Sequence, residues 1–160
     1  MSITDPESLK NFWSAIFRRN GADGTYTRLF DNLNAAQRSE LLMRGALRDT
    51  ELPVIGSFED ASNWLILTTE RLVWSVRGGR HDIVVDAIQD ATADFRRLQL
   101  SGLTKLEMRE LEIKTLQGDE YSIALECGAP LIGTWNVLKH LGRRNRRAIQ
   151  RQPKLRDNMG

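Results

Sequence analysis

The chain has no apolar run long enough to cross a lipid bilayer. Its longest unbroken apolar runs are a few residues, such as Trp64–Leu67, whereas a membrane-spanning helix needs about 20. The first residues also lack the basic segment, apolar core and small-residue cleavage site of a secretion signal. The single cysteine, Cys127, cannot form an internal disulfide, which favours a reducing compartment. The sequence therefore predicts a cytoplasmic protein.

Side chains that perform catalysis are also scarce. The two histidines are His81, beside a glycine pair, and His140, within a basic segment, and Cys127 comes at the end of an apolar stretch. This set does not make a nucleophile with its base. The sequence has no Cys/His spacing for zinc and no glycine-rich phosphate loop between a strand and a helix. We therefore expect no catalytic residue, no metal site and no cofactor.

The charges are present but unevenly distributed. Residues 139–160 contain one acid, Asp157, and eight basic residues, which are Lys139, Arg143, Arg144, Arg146, Arg147, Arg151, Lys154 and Arg156. Because the whole chain has a formal charge of +2, the first 138 residues carry −5. The sequence thus predicts an acidic body followed by a basic C-terminal helix and tail.

The first 48 residues are typical of two or three short helices. Asp5 and Pro6 are suited to start the first helix, and Gly21 to end it in the left-handed conformation. Its apolar face consists of Leu9, Phe12, Trp13, Ile16 and Phe17. Helical spacing continues through residues 26–33, after which Asn34 and Gln37 predict a capping box for a helix through Leu47.

From Leu52 to about Glu126 the apolar spacing is typical of strands, with turn residues every 8–12 positions. In "WLILTTERLVWSV" the polar residues 68–71 predict a tight reversal between two buried strands, and Gly78-Gly79 predicts the next hairpin turn. A third hairpin is expected to turn at 117–119. A final helix then buries Leu131, Trp135, Leu138 and Leu141 on one face.

The stretch "LTTERLVW" resembles the threonine-rich, Arg-Leu-aromatic hairpin of bacterial pleckstrin-homology-like and GRAM-like domains. The resemblance covers about residues 49–147. It implies an α+β fold with a seven-stranded, antiparallel, partly open β-barrel capped by a C-terminal helix, in which Trp135 matches the helix tryptophan of many such domains. Residues 1–48 form an additional N-terminal helical arm outside the resemblance, and residues 148–160 form a basic tail that we expect to be flexible.

The resemblance also implies where a phosphorylated lipid head group would bind, which is the loop joining the first two strands. Here that loop is "SFEDASN", residues 57–63, and its Glu59 and Asp60 would repel a phosphate. Basic residues elsewhere are the candidates for an anion or lipid site, and they are Arg77, Arg80, His81, Arg143, Arg144, Arg146 and Arg147. A solvated helix end that complements the helix dipole is the structural alternative for the last four.

Acidic residues supply the candidates for contact with a protein partner. Asp82, Asp86, Asp90 and Asp94 recur every fourth residue, which on a strand gives one face with about 13 Å between neighbours, too far apart to share a metal ion. We expect a solvent-facing acidic rib. The candidate partner-binding residues are Glu59, Asp60, Asp86, Asp90 and Asp94.

The leading hypothesis is a non-catalytic interaction module that binds a partner protein, as an adaptor or as an immunity-type inhibitor of a basic toxin. The alternative is a peripheral membrane module that binds anionic lipid through the basic C-terminal helix. Nucleic acid is a poor candidate, because no aromatic residue lies among the arginines to stack on bases. The N-terminal arm either packs on the rest of the chain or forms an interface with a partner or a second copy.

Overall fold

The computed structural model describes residues 5–93, 99–100, 102 and 107–152. The helices and strands, in chain order, are α1 (Pro6–Asn20), β1 (Thr27–Leu29), α2 (Ala35–Gly45), β2 (Pro53–Asp60), β3 (Asn63–Thr68), β4 (Arg71–Val76), β5 (Gly79–Val84), β6 (Ile88–Thr92), β7 (Glu110–Thr115), β8 (Glu120–Ala124) and α3 (Ala129–Gln150). Short 3₁₀ turns cover Phe30–Asn32 and Val85–Ala87. None of the described helices is long and apolar enough to cross a membrane.

The strands form two antiparallel sheets, so the predicted α+β class is confirmed. One sheet has five strands in the order β1-β2-β3-β4-β5, and the other has three in the order β6-β7-β8. The chain passes between the sheets at the turn Val85–Ala87. Hydrogen bonds between the described strands do not join the two sheets into a closed barrel.

Strands β3 and β4 are apolar almost throughout because both faces of their sheet are covered. Leu65, Leu67 and Trp74 face the main core, which lies between the two sheets, α1 and α3. Trp64, Ile66 and Val73 face a second cluster, which also contains Phe30, Leu33 and Leu41. A strand with one exposed face would alternate apolar and polar residues, so this two-sided cover explains the unbroken apolar runs.

The turns confirm one predicted reversal and correct another. β3 ends at Thr68 and β4 begins at Arg71, as expected. The next hairpin turns at Arg77-Gly78, whose φ angles are 52° and 82°, and not at Gly78-Gly79, because Gly79 already pairs with Val76. A two-residue turn of this kind needs positive φ at both positions, and here an arginine occupies the first of them.

The prediction of helix over residues 26–33 is wrong for its first part, and only Phe30–Asn32 forms a short 3₁₀ turn. Thr27–Leu29 is instead a strand that pairs with β2, with Thr27 opposite Ser57 and Leu29 opposite Ile55. Three residues are too few to show either a helical or a strand period, and the hydroxyl pair Thr27–Ser57 at 2.7 Å holds the strand in place. The capping box of Asn34 is confirmed.

Helix α1 packs along α3, with Trp13 and Phe17 fully buried in the main core. The helices approach closely at Gly133, where an added Cβ would lie 2.8 Å from the Phe17 ring. The expected left-handed stop at Gly21 is wrong, because its φ is −150°. A glycine is needed there for space, since a Cβ would lie 2.3 Å from the Ala129 carbonyl oxygen.

Candidate functional site

Helix α3 covers the free edge of β6 with hydrogen-bond donors. The Asn145 amide donates to the carbonyls of Val85 and Ile88 at 2.8 Å each, and the Trp135 indole donates to the carbonyl of Ala91 at 2.7 Å. The Arg146 guanidinium donates to the Gln89 carbonyl. Unpaired strand edges attract other strands, and these contacts occupy that edge from within the chain.

Two of the predicted anion-binding arginines serve this structural contact. Arg144 forms an ion pair with Asp86 at 2.7 Å, and Arg146 lies 3.9 Å from Asp90. Both carboxylates were predicted to bind a partner, and both instead meet the arginines of α3. The acidic body and the basic helix are therefore partly neutralised by each other.

Basic residues in the last three turns of α3 and just after it form the candidate site, which we call the basic groove. Its described lining residues are His140, Arg143, Arg144, Arg147, Ala148 and Arg151, and they surround a surface cavity of about 520 Å³. Arg143, Arg147 and Arg151 follow at intervals of four, so they form one stripe about 12 Å long. Among the described residues these three arginines have no carboxylate partner.

The basic groove is a continuation of the surface on which α1 packs. Gly133 and His140, which contact Phe17 and Phe12 of α1, lie seven residues apart on α3, and Arg144 and Arg147 follow at helical spacing. The Arg144 guanidinium also lies 5.9 Å from the centre of the Trp13 ring. Beyond the start of α1, the same face of α3 therefore presents guanidinium groups to solvent.

His140 lies at the end of the basic groove nearest α1. Its ring meets the Phe12 ring edge-on, with 5.1 Å between centroids, and Phe12 is 43% exposed. Burial lowers the pKa of His140, and the positive charges of Arg144, Arg143 and Arg147 lower it further. Both effects favour the neutral imidazole in the free protein.

The second predicted anion site, on the β4–β5 hairpin, is less well assembled. Arg77 is exposed at the turn, whereas Arg80 donates to the carbonyls of Arg44 and Gly45 at 3.4 Å and to Asp82 at 3.3 Å. His81 stacks on the Trp74 ring at 5.5 Å. Because Arg80 is occupied by the end of α2, this hairpin offers one unengaged arginine.

The predicted acidic residues do not lie on one strand. Asp82 lies on β5, Asp86 on the turn between the sheets and Asp90 on β6, so the regular spacing expected from a single strand is not present. Asp94 lies outside the described residues. The expected loop 57–63 is also mostly strand, and Asp60 closes its turn by accepting from the backbone N–H groups of residues 62 and 63. Glu59 is exposed at the end of β2.

Sequence reasoning missed a buried ion pair beneath the Thr68–Arg71 turn. Arg71 is 6% exposed and Glu51 is 4% exposed, with 2.5 Å between their nearest side-chain atoms. Thr68 donates its hydroxyl to Glu51 at 2.6 Å, and Arg71 also donates to the Ala46 carbonyl at the end of α2. Burial by itself raises the pKa of Glu51, but the hydrogen bonds from Arg71, Thr68 and Arg48 outweigh it, so the pKa is below its usual value.

A second carboxylate, Glu126, links the end of β8 to β1. It accepts hydrogen bonds from the backbone N–H groups of Thr25, Tyr26 and Thr27 at 2.7–3.0 Å. Burial raises the pKa of Glu126, and these three N–H groups lower it to a net value below its usual range. Both oxygens of the Glu126 carboxylate accept hydrogen bonds from backbone groups of the same chain, which indicates a structural role. The neighbouring Cys127 is half-buried and unpaired.

The described residues contain no group of three or more His, Cys, Asp or Glu side chains that could hold a metal ion. No protein family model, curated protein or solved structure matches this chain.

Proposed function

We propose that this protein is a non-catalytic interaction module that binds an acidic segment of a partner protein in the basic groove. The observation that carries the proposal is the stripe of Arg143, Arg147 and Arg151, which lacks carboxylate partners among the described residues. Guanidinium groups pair with carboxylates in a two-pronged geometry, so an acidic chain is the matching ligand.

We propose a pleckstrin-homology-like fold for residues 49–147. The four strands β2–β5, the three strands β6–β8 and the closing helix α3 follow the order that the resemblance implies, which supports the proposal. Strand β1 is an addition from the N-terminal arm. We further propose that the module acts in the cytoplasm, because its one cysteine forms no disulfide.

The surface proposed to bind the partner differs from the one predicted from the sequence. The hypothesis of an acidic patch that recognises a basic toxin is weakened, because Asp86 and Asp90 already lie beside Arg144 and Arg146. The stripe Arg143, Arg147 and Arg151 groups three arginines without carboxylate partners among the described residues around one cavity, so we place the contact there and expect the partner to be acidic.

An anionic membrane surface is the second candidate, and the exposed Phe12 beside the basic groove favours it. Each cation near an anionic bilayer contributes about 1 kcal/mol, so the three unpaired arginines contribute about 3 kcal/mol. This is weak attachment for a whole protein. A concave site whose arginines can each bind a carboxylate directly fits an acidic chain better.

Fluorescence anisotropy with a labelled peptide of ten glutamates tests the proposal. Two guanidinium contacts of about 1 kcal/mol each predict that Arg143→Ala with Arg147→Ala weakens binding about 30-fold. The matched control is Arg18→Ala with Arg19→Ala, which removes the same charge from exposed positions at the other end of α1. Equal weakening by both pairs would mean that only net charge matters and would refute the site.

A vesicle experiment separates the two candidates. Co-sedimentation with phosphatidylserine vesicles, compared with phosphatidylcholine vesicles, measures attachment to an anionic surface. We expect less than half of the protein to sediment at 150 mM salt. The membrane candidate would be favoured if most of the protein sedimented with anionic vesicles, if the Arg143/Arg147 variant did not, and if the glutamate peptide bound only weakly.

A further inference from the structure

His140 is the one titratable group of the described basic groove that can change its charge near neutral pH. It lines the cavity together with Arg143, Arg144 and Arg147. Its other neighbour is the Phe12 ring on α1, at 5.1 Å between centroids. An imidazole in this position meets a bound anion on one side and an aromatic ring on the other.

The charges that lower the pKa of His140 among the described residues are positive, and one of them, on Arg144, is paired with Asp86 at 2.7 Å. They come from Arg144, Arg143 and Arg147 on its own helix. The element packed against it, α1, presents the uncharged Phe12 ring at this point, and Lys10, two residues earlier on α1, pairs with Asp31 at 3.0 Å. Partial burial and these three neighbouring arginines disfavour the imidazolium form of His140. A bound anion would reverse the balance, because it adds negative charge beside the ring.

We propose that the basic groove is a proton-coupled oxyanion site, in which an anion bound between Arg143, Arg147 and His140 draws a proton onto His140. The inference rests on the proposed function, because it concerns the same groove, and it adds a ligand class and a pH dependence. The class is carboxylate, sulfate or phosphate oxygens. The proton comes from solvent and becomes one more hydrogen-bond donor to the anion.

Linkage fixes the direction of the pH dependence. If the anion favours the imidazolium, the imidazolium equally favours the anion. The affinity for the anion is then highest at a pH where His140 is protonated in both the free and the anion-bound protein. It decreases as the pH rises from the pKa of His140 in the free protein to the higher pKa in the complex, and it is lowest above both.

Sulfate is the appropriate probe because it remains a dianion from pH 5.5 to pH 8, so any pH dependence belongs to the protein. The measurement is an NMR titration of the histidine and arginine side-chain signals, with ionic strength held constant by sodium chloride. The chain has two histidines, so His81 serves as the internal reference. We expect sulfate to bind at least fivefold more tightly at pH 5.5 than at pH 8, and to move the titration midpoint of His140 upward.

His140→Gln is the variant that removes the proton acceptor and keeps a polar side chain of similar size. Sulfate affinity should then be the same at pH 5.5 and pH 8, while the Arg143 and Arg147 signals still respond. His81→Gln should leave the wild-type pH dependence unchanged. Should His140→Gln fail to fold, the midpoint of His140 in the wild-type protein with and without sulfate decides the question.

The outcomes separate the coupling from the groove. Sulfate that perturbs the groove arginines with equal affinity at every pH overturns the proton coupling and leaves the proposed function standing. Sulfate that perturbs His81 and Arg77, and not His140, places the anion site on the β4–β5 hairpin and overturns both. If sulfate perturbs no arginine signal of α3 at any pH, the proton coupling and the proposed function are likewise both overturned.

Discussion

The Glu51–Arg71 pair gives the most stringent test of the fold. Replacing Glu51 by alanine leaves the Arg71 guanidinium buried with two carbonyl acceptors of α2 and a distant carboxylate, Asp82, at 3.8 Å. Breaking a buried ion pair from one side costs about 3–5 kcal/mol, because the remaining charge stays desolvated, and here it keeps only the longer contact with the partly exposed Asp82. Thr68 also loses the closer of the two acceptors of its hydroxyl, which are Glu51 at 2.6 Å and the Arg71 carbonyl at 3.2 Å. We therefore expect Glu51→Ala to cost about 4 kcal/mol.

Urea unfolding followed by tryptophan fluorescence measures this loss. With a dependence of about 2 kcal/mol per molar urea, the midpoint should fall by about 2 M. Glu70→Ala is the matched control in the same turn, because the Glu70 side chain lies at the surface, 4.0 Å from Arg48, and accepts one hydrogen bond from the Thr50 hydroxyl. It should cost less than about 1 kcal/mol. A Glu51→Ala effect no larger than that of Glu70→Ala would refute the role of the pair.

The double variant Glu51→Leu with Arg71→Met sharpens the test. It removes both charges together, so no uncompensated charge remains buried. Its midpoint should lie above that of Glu51→Ala and below that of the wild type, because Thr68 and the α2 carbonyls still lose their partners. A double variant that is as unstable as the sum of the two single changes would mean that the residues do not interact.

The other predictions concern the packing of α3 and the buried carboxylates. Gly142→Ala places a Cβ 2.5 Å from the backbone oxygen of β6 and should cost about 1–3 kcal/mol, whereas Gly79→Ala, whose nearest atom is at 3.5 Å, should change the unfolding free energy by less than about 0.5 kcal/mol. Equal effects would contradict the close approach of α3. Phe17→Ala should cost about 3–5 kcal/mol, and a loss under about 1 kcal/mol would show that α1 does not pack on α3. Glu126→Gln should cost about 2 kcal/mol, because hydrogen bonds to a charged acceptor are lost, and an unchanged urea midpoint would exclude that role. The pKa values of Glu51 and Glu126 are lowered in the folded state. The stability that these carboxylates contribute is therefore complete above the unfolded pKa of about 4.5 and is lost as the pH falls below it. Between pH 6 and pH 3 the midpoint of thermal unfolding should decrease in the wild type, and it should decrease less in Glu51→Ala and in Glu126→Gln.

The elements with many regularly spaced apolar residues could be predicted from the sequence. Helix α1, the capping box of α2, the apolar face of α3 and the alternation in β7 all repeat over several turns or strand residues. Strand β1 could not be predicted, because its three residues are held by pairing with β2, far away in the chain. The turn at Arg77-Gly78 was displaced by one residue, since Gly79 suits the same positive φ equally well.

The candidate site was predicted in part. The basic residues of α3 are evident as a charge cluster, but the sequence does not show which of them are occupied. Arg144 and Arg146 meet Asp86 and Asp90 only because the chain turns from one sheet to the other at Val85–Ala87. The Glu51–Arg71 pair was missed for a similar reason. Its carboxylate comes from an irregular segment 20 residues before the arginine, and no local pattern joins the two.

We propose that the protein acts through the basic groove of α3. The most direct measurement is a backbone and side-chain NMR titration of the folded protein with the ten-glutamate peptide, which maps the bound surface residue by residue. The perturbed signals should cluster at His140, Arg143, Arg147 and Arg151. A response centred on Arg77 and the β4–β5 hairpin, or one spread evenly over all exposed cations, would contradict the claim.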